Sequence, residues 1–295
     1  MDRDSWLITG AAGMLGRELV TLLLARDIEV TALARADLDV TDRAGVHDAI
    51  GSARPTVVAN CAAWTRVDDA ESAEDTARRV NGDAVQHIAE ACRSVGARLV
   101  QPSTDYVFAG DTTVPYPEDA STAPRSAYGR SKLLGEHAVL ATLPQAGFVV
   151  RTAWLYGAYG PNFVATMVQL ERDRETIDVV DDQYGQPTWT GDLVRQIVSL
   201  VAAGAPPGIY HATNAGRATW YELAREVFAL LHADPARVRP TTTDRFPRPA
   251  ARPAFSVLGH EKWARVGLAP MREWPLALRD ALPAVRYQVL RSPSV

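Results

Sequence analysis

Residues 5–26 read SWLITGAAGMLGRELVTLLLAR: a short β-branched apolar run, a turn bearing glycines, then a segment whose Leu15, Leu19, Leu22 and Leu23 recur at helical spacing. A strand that feeds a helix through so tight a turn returns to its sheet by a crossover, and the first half of the chain repeats this pattern. EVTALAR (29–35), TVVANCAAW (56–64) and ARLVQPST (97–104) read as strands; AEDTARRVNGDAVQHIAEACRSVG (73–96) and SAYGRSKLLGEHAVLATL (126–143) read as helices. Strict alternation of this kind specifies an α/β fold, a Rossmann-type doubly wound parallel sheet, over residues 1–153. From about residue 154 turn formers and aromatics take over, followed by one amphipathic helix, LVRQIVSLVAAG (193–204). Residues of about 180–212 are expected to return to the first domain, with IDVVDD and GIYHATN as candidates for the sheet or its edge. The Pro- and Arg-rich DPARVRPTTTDRFPRPAARP (234–253) reads as an ordered surface crossing.

In doubly wound sheets ligands bind beyond the carboxyl ends of the strands. There Gly10, Gly13 and Gly16, with Met14 and Leu15 between them, let backbone approach a pyrophosphate, and the helix that follows offers unpaired N–H groups to it. A tight strand-to-helix turn with no ligand uses the same residues. Arg35 stands where a carboxylate would bond a ribose 2′-hydroxyl, and a guanidinium there suits a 2′-phosphate; the expected cofactor is therefore NADPH, with NADH as the alternative through Asp37 or Asp39. Asp39 and Val40 either flank an adenine or cap the next helix.

Net charge is −4 with no dense basic run, so nucleic acid is not an expected partner. The two cysteines, Cys61 and Cys92, form no ligand cluster with histidine; buried reduced thiols, and no metal, are expected. The sequence shows no signal-peptide pattern and no long apolar span, so no membrane association and a cytoplasmic location are expected.

Lysine occurs twice, at Lys132 and Lys262, in a chain that otherwise uses arginine. On a helix Tyr128 and Lys132 stand four residues apart and project from one face. A neighbouring ammonium is expected to lower the tyrosine's pKa, readying it to exchange a proton with a substrate oxygen, and Thr104 at a strand end can hold that oxygen too. Arginine's planar fork fits such a place poorly.

GAAGMLG, NCAAWTRVDDAE, STDYVFAGD and YGRSK, in this order, resemble the extended short-chain dehydrogenase/reductases, and within them the dTDP-4-dehydrorhamnose reductases. The likeness runs on through VRTAWLYG, GPNFV, DDQYGQPTW, GIYHATNAGRATWYELA and RPAFSVLG, nearly the whole chain. The resemblance implies reduction of the C4 ketone of dTDP-4-dehydro-β-L-rhamnose to dTDP-L-rhamnose, with Thr104, Tyr128 and Lys132 as the catalytic set and Tyr128 as proton donor. It implies that Ala62, Ala63, Tyr128 and Lys132 meet the cofactor. Thr65, Val67, Thr104, Tyr106, Trp154 and Asn162 would meet the dTDP-sugar, and Arg252 either binds its diphosphate through a guanidinium fork or makes a structural salt bridge. It also implies that 154–295 is mainly a smaller substrate-binding domain, and homodimers occur among such proteins. Related 4,6-dehydratases carry Asp-Glu after the threonine, whereas here Asp105 is followed by Tyr106, which argues against elimination. The alternatives are a 4-epimerase, a 4-ketoreductase of another dTDP-deoxysugar such as a dihydrostreptose-type pathway uses, and a non-catalytic subunit like the regulatory one of methionine adenosyltransferase.

Overall fold

The computed structural model describes residues 4–291. Five strands of the first half, β1 (Ser5–Thr9), β2 (Glu29–Leu33), β3 (Val57–Asn60), β4 (Arg98–Thr104) and β5 (Gly147–Thr152), pair in parallel in the order 2-1-3-4-5. Gly208–His211 adds a sixth parallel strand beside β5. The chain therefore winds one way from β1 to β2 and the other way from β3 onward, which opens a crevice between the carboxyl ends of β1 and β3. Pro102 sits in the central strand β4, but pairing with β3 stops at Val100, so its missing N–H breaks no bond to that neighbour.

Side-chain alternation along the strands divides the core into two layers. Trp6, Ile8, Val57, Val100 and Val150 point to the side covered by helix α1 (Met14–Leu24) and by the helix Thr190–Ala202, which packs Leu193, Ile197 and Val201 against them. Leu7, Val58, Leu99 and Val149 face the other side, against Val46 and Ile50 of α2 (Arg43–Ala53), Ile88 of the helix Ala84–Val95 and Val139 of the helix Ala127–Thr142. Burying each such aliphatic side chain is worth about 2 kcal/mol, so the two layers hold the sheet that positions every loop at its carboxyl edge.

A separate apolar cluster builds the second lobe from the helices Phe163–Asp173, Trp220–Leu230 and Trp274–Arg291, with Val168, Phe228 and Leu278 at its centre. Of the two candidate sheet segments, GIYH lies at the sheet edge, while Ile177–Val180 pairs instead with Val238–Thr241 in a two-stranded ribbon of this lobe. The crossing 234–253 is ordered, with single helical turns at Pro235–Arg237 and Thr243–Arg245.

Candidate active site

The glycine turn closes the crevice between β1 and β3. Gly10 has φ of +62°, and a Cβ there would stand 2.5 Å from the Ala62 amide nitrogen, so only glycine lets β1 leave the sheet against the Cys61–Ala62 backbone. Gly13 is the N-cap of α1 and brings no side-chain cap, which leaves the amides of the helix's first turn for an outside acceptor. Gly13 and Gly16 stand on this first turn with Met14 and Leu15; Leu15 packs its side chain into the core, so only its backbone faces the turn. Arg35 follows β2 and is exposed, in reach of any group seated beyond that strand. Asp39 is spent on the Thr41 amide and hydroxyl (2.9 and 2.7 Å), which hold its carboxyl below the usual carboxylate range, and Asp42, not Asp39, caps α2. Val40 is buried in the core beside Leu38, so its part in any adenine contact is restricted to the little surface left.

Lys132 is 4% exposed and is anchored from below. Its Nζ donates to the Pro102 carbonyl at 2.6 Å, the same carbonyl that accepts from Gln101 Nε2 at 2.9 Å. Gln101 in turn accepts from Asn60, and Asn60 accepts from Thr9 (2.8 and 2.6 Å), so a buried polar chain ties the ends of β1, β3 and β4 to the lysine. Burial pushes the Lys132 ammonium down to about 8, opposed by the negative charge of Glu136 one helical turn away.

Tyr128 stands one turn before Lys132 in the same helix, its ring edge-on to Tyr106 at 5.8 Å between centroids. Here the structure corrects an expectation: Tyr128 is pushed up to about 12, not lowered. Burial is the main cause, the Thr104 hydroxyl hydrogen bond opposes it, and the Asp105 charge adds to it. The Lys132 ammonium is turned to a carbonyl and does not offset that burial. Thr104 ends β4, accepts from the Tyr106 amide at 3.2 Å and lies 3.0 Å from Asp105 Oδ1. Gly129 makes this convergence possible, because a Cβ there would stand 2.2 Å from the Tyr106 carbonyl oxygen.

The other predicted residues divide. Ala62, Ala63, Thr65 and Val67 lie on or after the loop leaving β3, and that loop is pinned at Trp64, whose N–H donates to Asn81 Oδ1 and whose carbonyl accepts from Asn81 Nδ2 (2.9 and 3.0 Å). Asn81 also donates to Ser131 on the Tyr128 helix. It does so from a π-turn, Arg79–Asp83, inserted in what the sequence presents as one helix; the Asn-Gly pair inside that run was the available signal. Arg252 pairs with Asp68 at 2.8 Å, and both line a cavity of about 430 Å³ with Phe163, Trp220, Gln183 and Arg248. Trp154, at φ +46°, stacks on Trp220 at 3.5 Å and so borders the wall of this cavity from the second lobe's core. Asn162 differs. It caps the helix Phe163–Asp173 by accepting from Ala165 and donates to the Gly157 and Gly160 carbonyls, and it lines a different groove with Arg17 and Tyr159. Its polar atoms are committed to the fold. Both cysteines are free; Cys92 is buried as expected, whereas Cys61 at the end of β3 is partly exposed. Among the described residues no helix is long and apolar enough to cross a membrane, and no group of acidic, His or Cys residues stands together as a metal site.

A family model described as RmlD substrate binding domain matches residues 5–287. A dTDP-4-dehydrorhamnose reductase of Streptomyces griseus is 57% identical over 96% of this chain and 94% of its own. A dTDP-4-keto-6-deoxy-D-glucose reductase of Streptomyces niveus is 55% identical over 95% of this chain and 97% of its own. The crystal structure of dTDP-4-dehydrorhamnose reductase from Bacillus anthracis in complex with NADP superposes with a TM-score of 0.92, at 37% identity, covering 96% of this chain and 99% of that one.

Proposed function

The chain belongs to the family of the RmlD substrate binding domain, and from that premise we propose that it reduces the C4 ketone of a dTDP-4-dehydro-6-deoxysugar, dTDP-4-dehydro-β-L-rhamnose first among them, to the C4 alcohol with NADPH. The single observation that carries the reading is the convergence of Thr104, Tyr128 and Lys132 beside the crevice that the Gly10 turn closes. The fit of the dinucleotide to this chain rests on the uncapped first turn of α1 and on the exposed Arg35, which would hold pyrophosphate and 2′-phosphate respectively. When bound, the nicotinamide supplies the hydride.

This chain's residues do the rest. A phenol held near 12 is fully protonated at neutral pH, and an alkoxide is a far stronger base than a phenolate, so Tyr128 is set to give its proton to the oxygen that hydride addition makes basic. The Thr104 hydroxyl hydrogen-bonds the phenol oxygen and so holds Tyr128 toward that substrate oxygen. Lys132, at about 8, is still mostly cationic at neutral pH and supports the phenolate that forms; two of its N–H donors remain beyond the Pro102 bond for ribose hydroxyls. The aromatic cavity with Arg248 and Arg252 is the place we assign to the nucleotide diphosphate half of the substrate, where guanidinium forks match phosphate oxygens.

NADPH oxidation followed at 340 nm with enzymatically generated dTDP-4-dehydro-L-rhamnose tests this. Wild type should turn over, and Tyr128→Phe should lose about a thousandfold in kcat while still binding NADPH. Turnover undiminished in Tyr128→Phe, or none in wild type across a panel of 4-keto dTDP-sugars, would remove the reading.

A further inference from the structure

Asp105 follows Thr104 directly and is 2% exposed. Thr104 Oγ1 and Asp105 Oδ1 stand 3.0 Å apart, while Asp105 Oδ2 is buried with no hydrogen-bond partner. A carboxylate left with one bare buried oxygen is costly; a neutral carboxylic acid, whose bare oxygen is only a carbonyl, is much less so. The groups that face it are Thr104 and Tyr106 on its own segment, Tyr128 from the helix Ala127–Thr142 and Ser256 from the crossing, whose hydroxyl reaches the Tyr184 carbonyl at 3.5 Å. None of these is a cation. Burial raises the Asp105 carboxyl to about 6, opposed first by the Ser256 hydroxyl, whose approach falls short of a well-formed hydrogen bond to Oδ2, and then by the Thr104 hydroxyl.

The Thr104 hydroxyl has one proton and two lone pairs. One lone pair takes the Tyr106 amide. If Asp105 is ionised, the Thr104 proton is drawn to it, and the remaining lone pair invites Tyr128 to donate toward Thr104, away from a substrate. If Asp105 is protonated, it fills that lone pair and releases the Thr104 proton toward the phenol oxygen. Resting on the reductase reading above, we propose that Asp105 is a positioning residue: as a buried carboxylic acid it donates to Thr104, turns the threonine hydroxyl toward Tyr128, and so aims the Tyr128 proton at the substrate oxygen. The protons balance. Tyr128 gives one to the alkoxide, and the phenolate left behind, held by the Thr104 hydroxyl, is reprotonated from solvent before the next turnover, while Asp105 keeps its proton.

The experiment is the pH profile of kcat between 5 and 9 for wild type, Asp105→Asn and Asp105→Ala, each also in a Thr104→Val background, with NADPH binding and circular dichroism as checks of folding. Wild-type kcat is expected to fall as pH rises through the Asp105 titration near 6, apart from any change near 8 that belongs to Lys132. Asparagine does not titrate and can donate its amide to Thr104 at every pH, so Asp105→Asn should lose the lower inflection. Below pH 6, where wild type holds its proton, Asp105→Ala, which offers no donor, should lower kcat about tenfold with KM little changed. With Thr104→Val neither substitution should have a further effect, since Asp105 acts through that hydroxyl. A wild-type profile without the inflection, an Asp105→Asn profile that keeps it, or equal losses in both backgrounds each overturns the proposal. These outcomes are separate from a failure of the reductase reading, which Tyr128→Phe reports independently.

Discussion

Two largely buried polar clusters lie one turn apart along the helix Ala127–Thr142. The first gathers Tyr128, Lys132, Thr104 and Asp105; the second gathers Glu136, Arg151, Ser103 and His211. In the second, every charged atom is answered: Arg151 makes two bonds to Glu136 (2.9 and 2.7 Å), Ser103 donates to Glu136 at 2.5 Å, and the guanidinium lies over the Phe108 ring at 4.9 Å. His211 is held neutral by burial, then by Arg151, well down at about 3, with Nδ1 donating to the Gly259 carbonyl and Nε2 left to face Arg151. The first cluster, buried except for the partly exposed Tyr128, is not so answered. It keeps a bare Asp105 oxygen, a lysine with donors to spare and a phenol near 12. A satisfied network fastens β4, β5 and the helix together, whereas the unsatisfied one on the same helix leaves the donors and acceptors that the proposed function assigns to the ligands.

The two clusters should therefore respond oppositely to the loss of a cation. Arg151→Met strands a buried Glu136 and should lower unfolding stability by about 3 to 5 kcal/mol in urea denaturation. Adding Glu136→Leu to Arg151→Met should recover most of that loss, because no lone charge then remains. A loss under about 1 kcal/mol for Arg151→Met would mean that the second cluster does not fasten the strands to the helix.

Lys132→Met should do the reverse, abolishing turnover while stabilising the fold. The folded lysine titrates near 8 and the unfolded one near 10.5, so below pH 8 both forms are protonated and the burial cost is fully present. Between 8 and 10.5 the folded protein loses its proton first and wild-type stability rises with pH. Lys132→Met is therefore expected to be more stable than wild type by about 3 kcal/mol at pH 7, with the gap closing toward pH 10.5. Denaturation series at both pH values read this directly, and a gap independent of pH would place the lysine's charge outside the energetics of folding.

The contrast also marks how far the sequence could be read. Leucine spacing after the glycine turn and the β-branched runs were enough for the parallel sheet, because side-chain period is a local property. Tyr128 and Lys132 were legible because four residues on a helix is a fixed geometry. What could not be read was direction. Whether the Lys132 ammonium turns to Tyr128 or to a carbonyl depends on Pro102, thirty residues earlier on a strand, and the expected lowering of the tyrosine failed because burial raises it and the ammonium, so turned, does not offset that. Burial also overrides pattern at Asn162, where a polar residue in a glycine-rich loop is consumed by a helix cap, and at Asn81, whose role exists only because a π-turn swings it to Trp64. Such contacts are set by packing between distant segments, which no local spacing encodes.

The smallest expected effect lies at the far end of the crevice and concerns the cofactor alone. Arg35 is exposed on the turn after β2 and belongs to neither buried cluster, so its removal should leave both the fold and the proton chemistry untouched. If it binds the 2′-phosphate, a single solvent-facing guanidinium contributes about 1.4 kcal/mol, and Arg35→Ala should raise KM for NADPH about tenfold. KM for NADH, which has a hydroxyl at that position, should change little, and kcat should hold for both. The ratio of the two KM values is the decisive quantity. Were Arg35→Ala to weaken both cofactors equally, the guanidinium would be a general attraction for the pyrophosphate, and selectivity would have to reside in the backbone and carboxylates of the turn that carries Asp37 and Asp39.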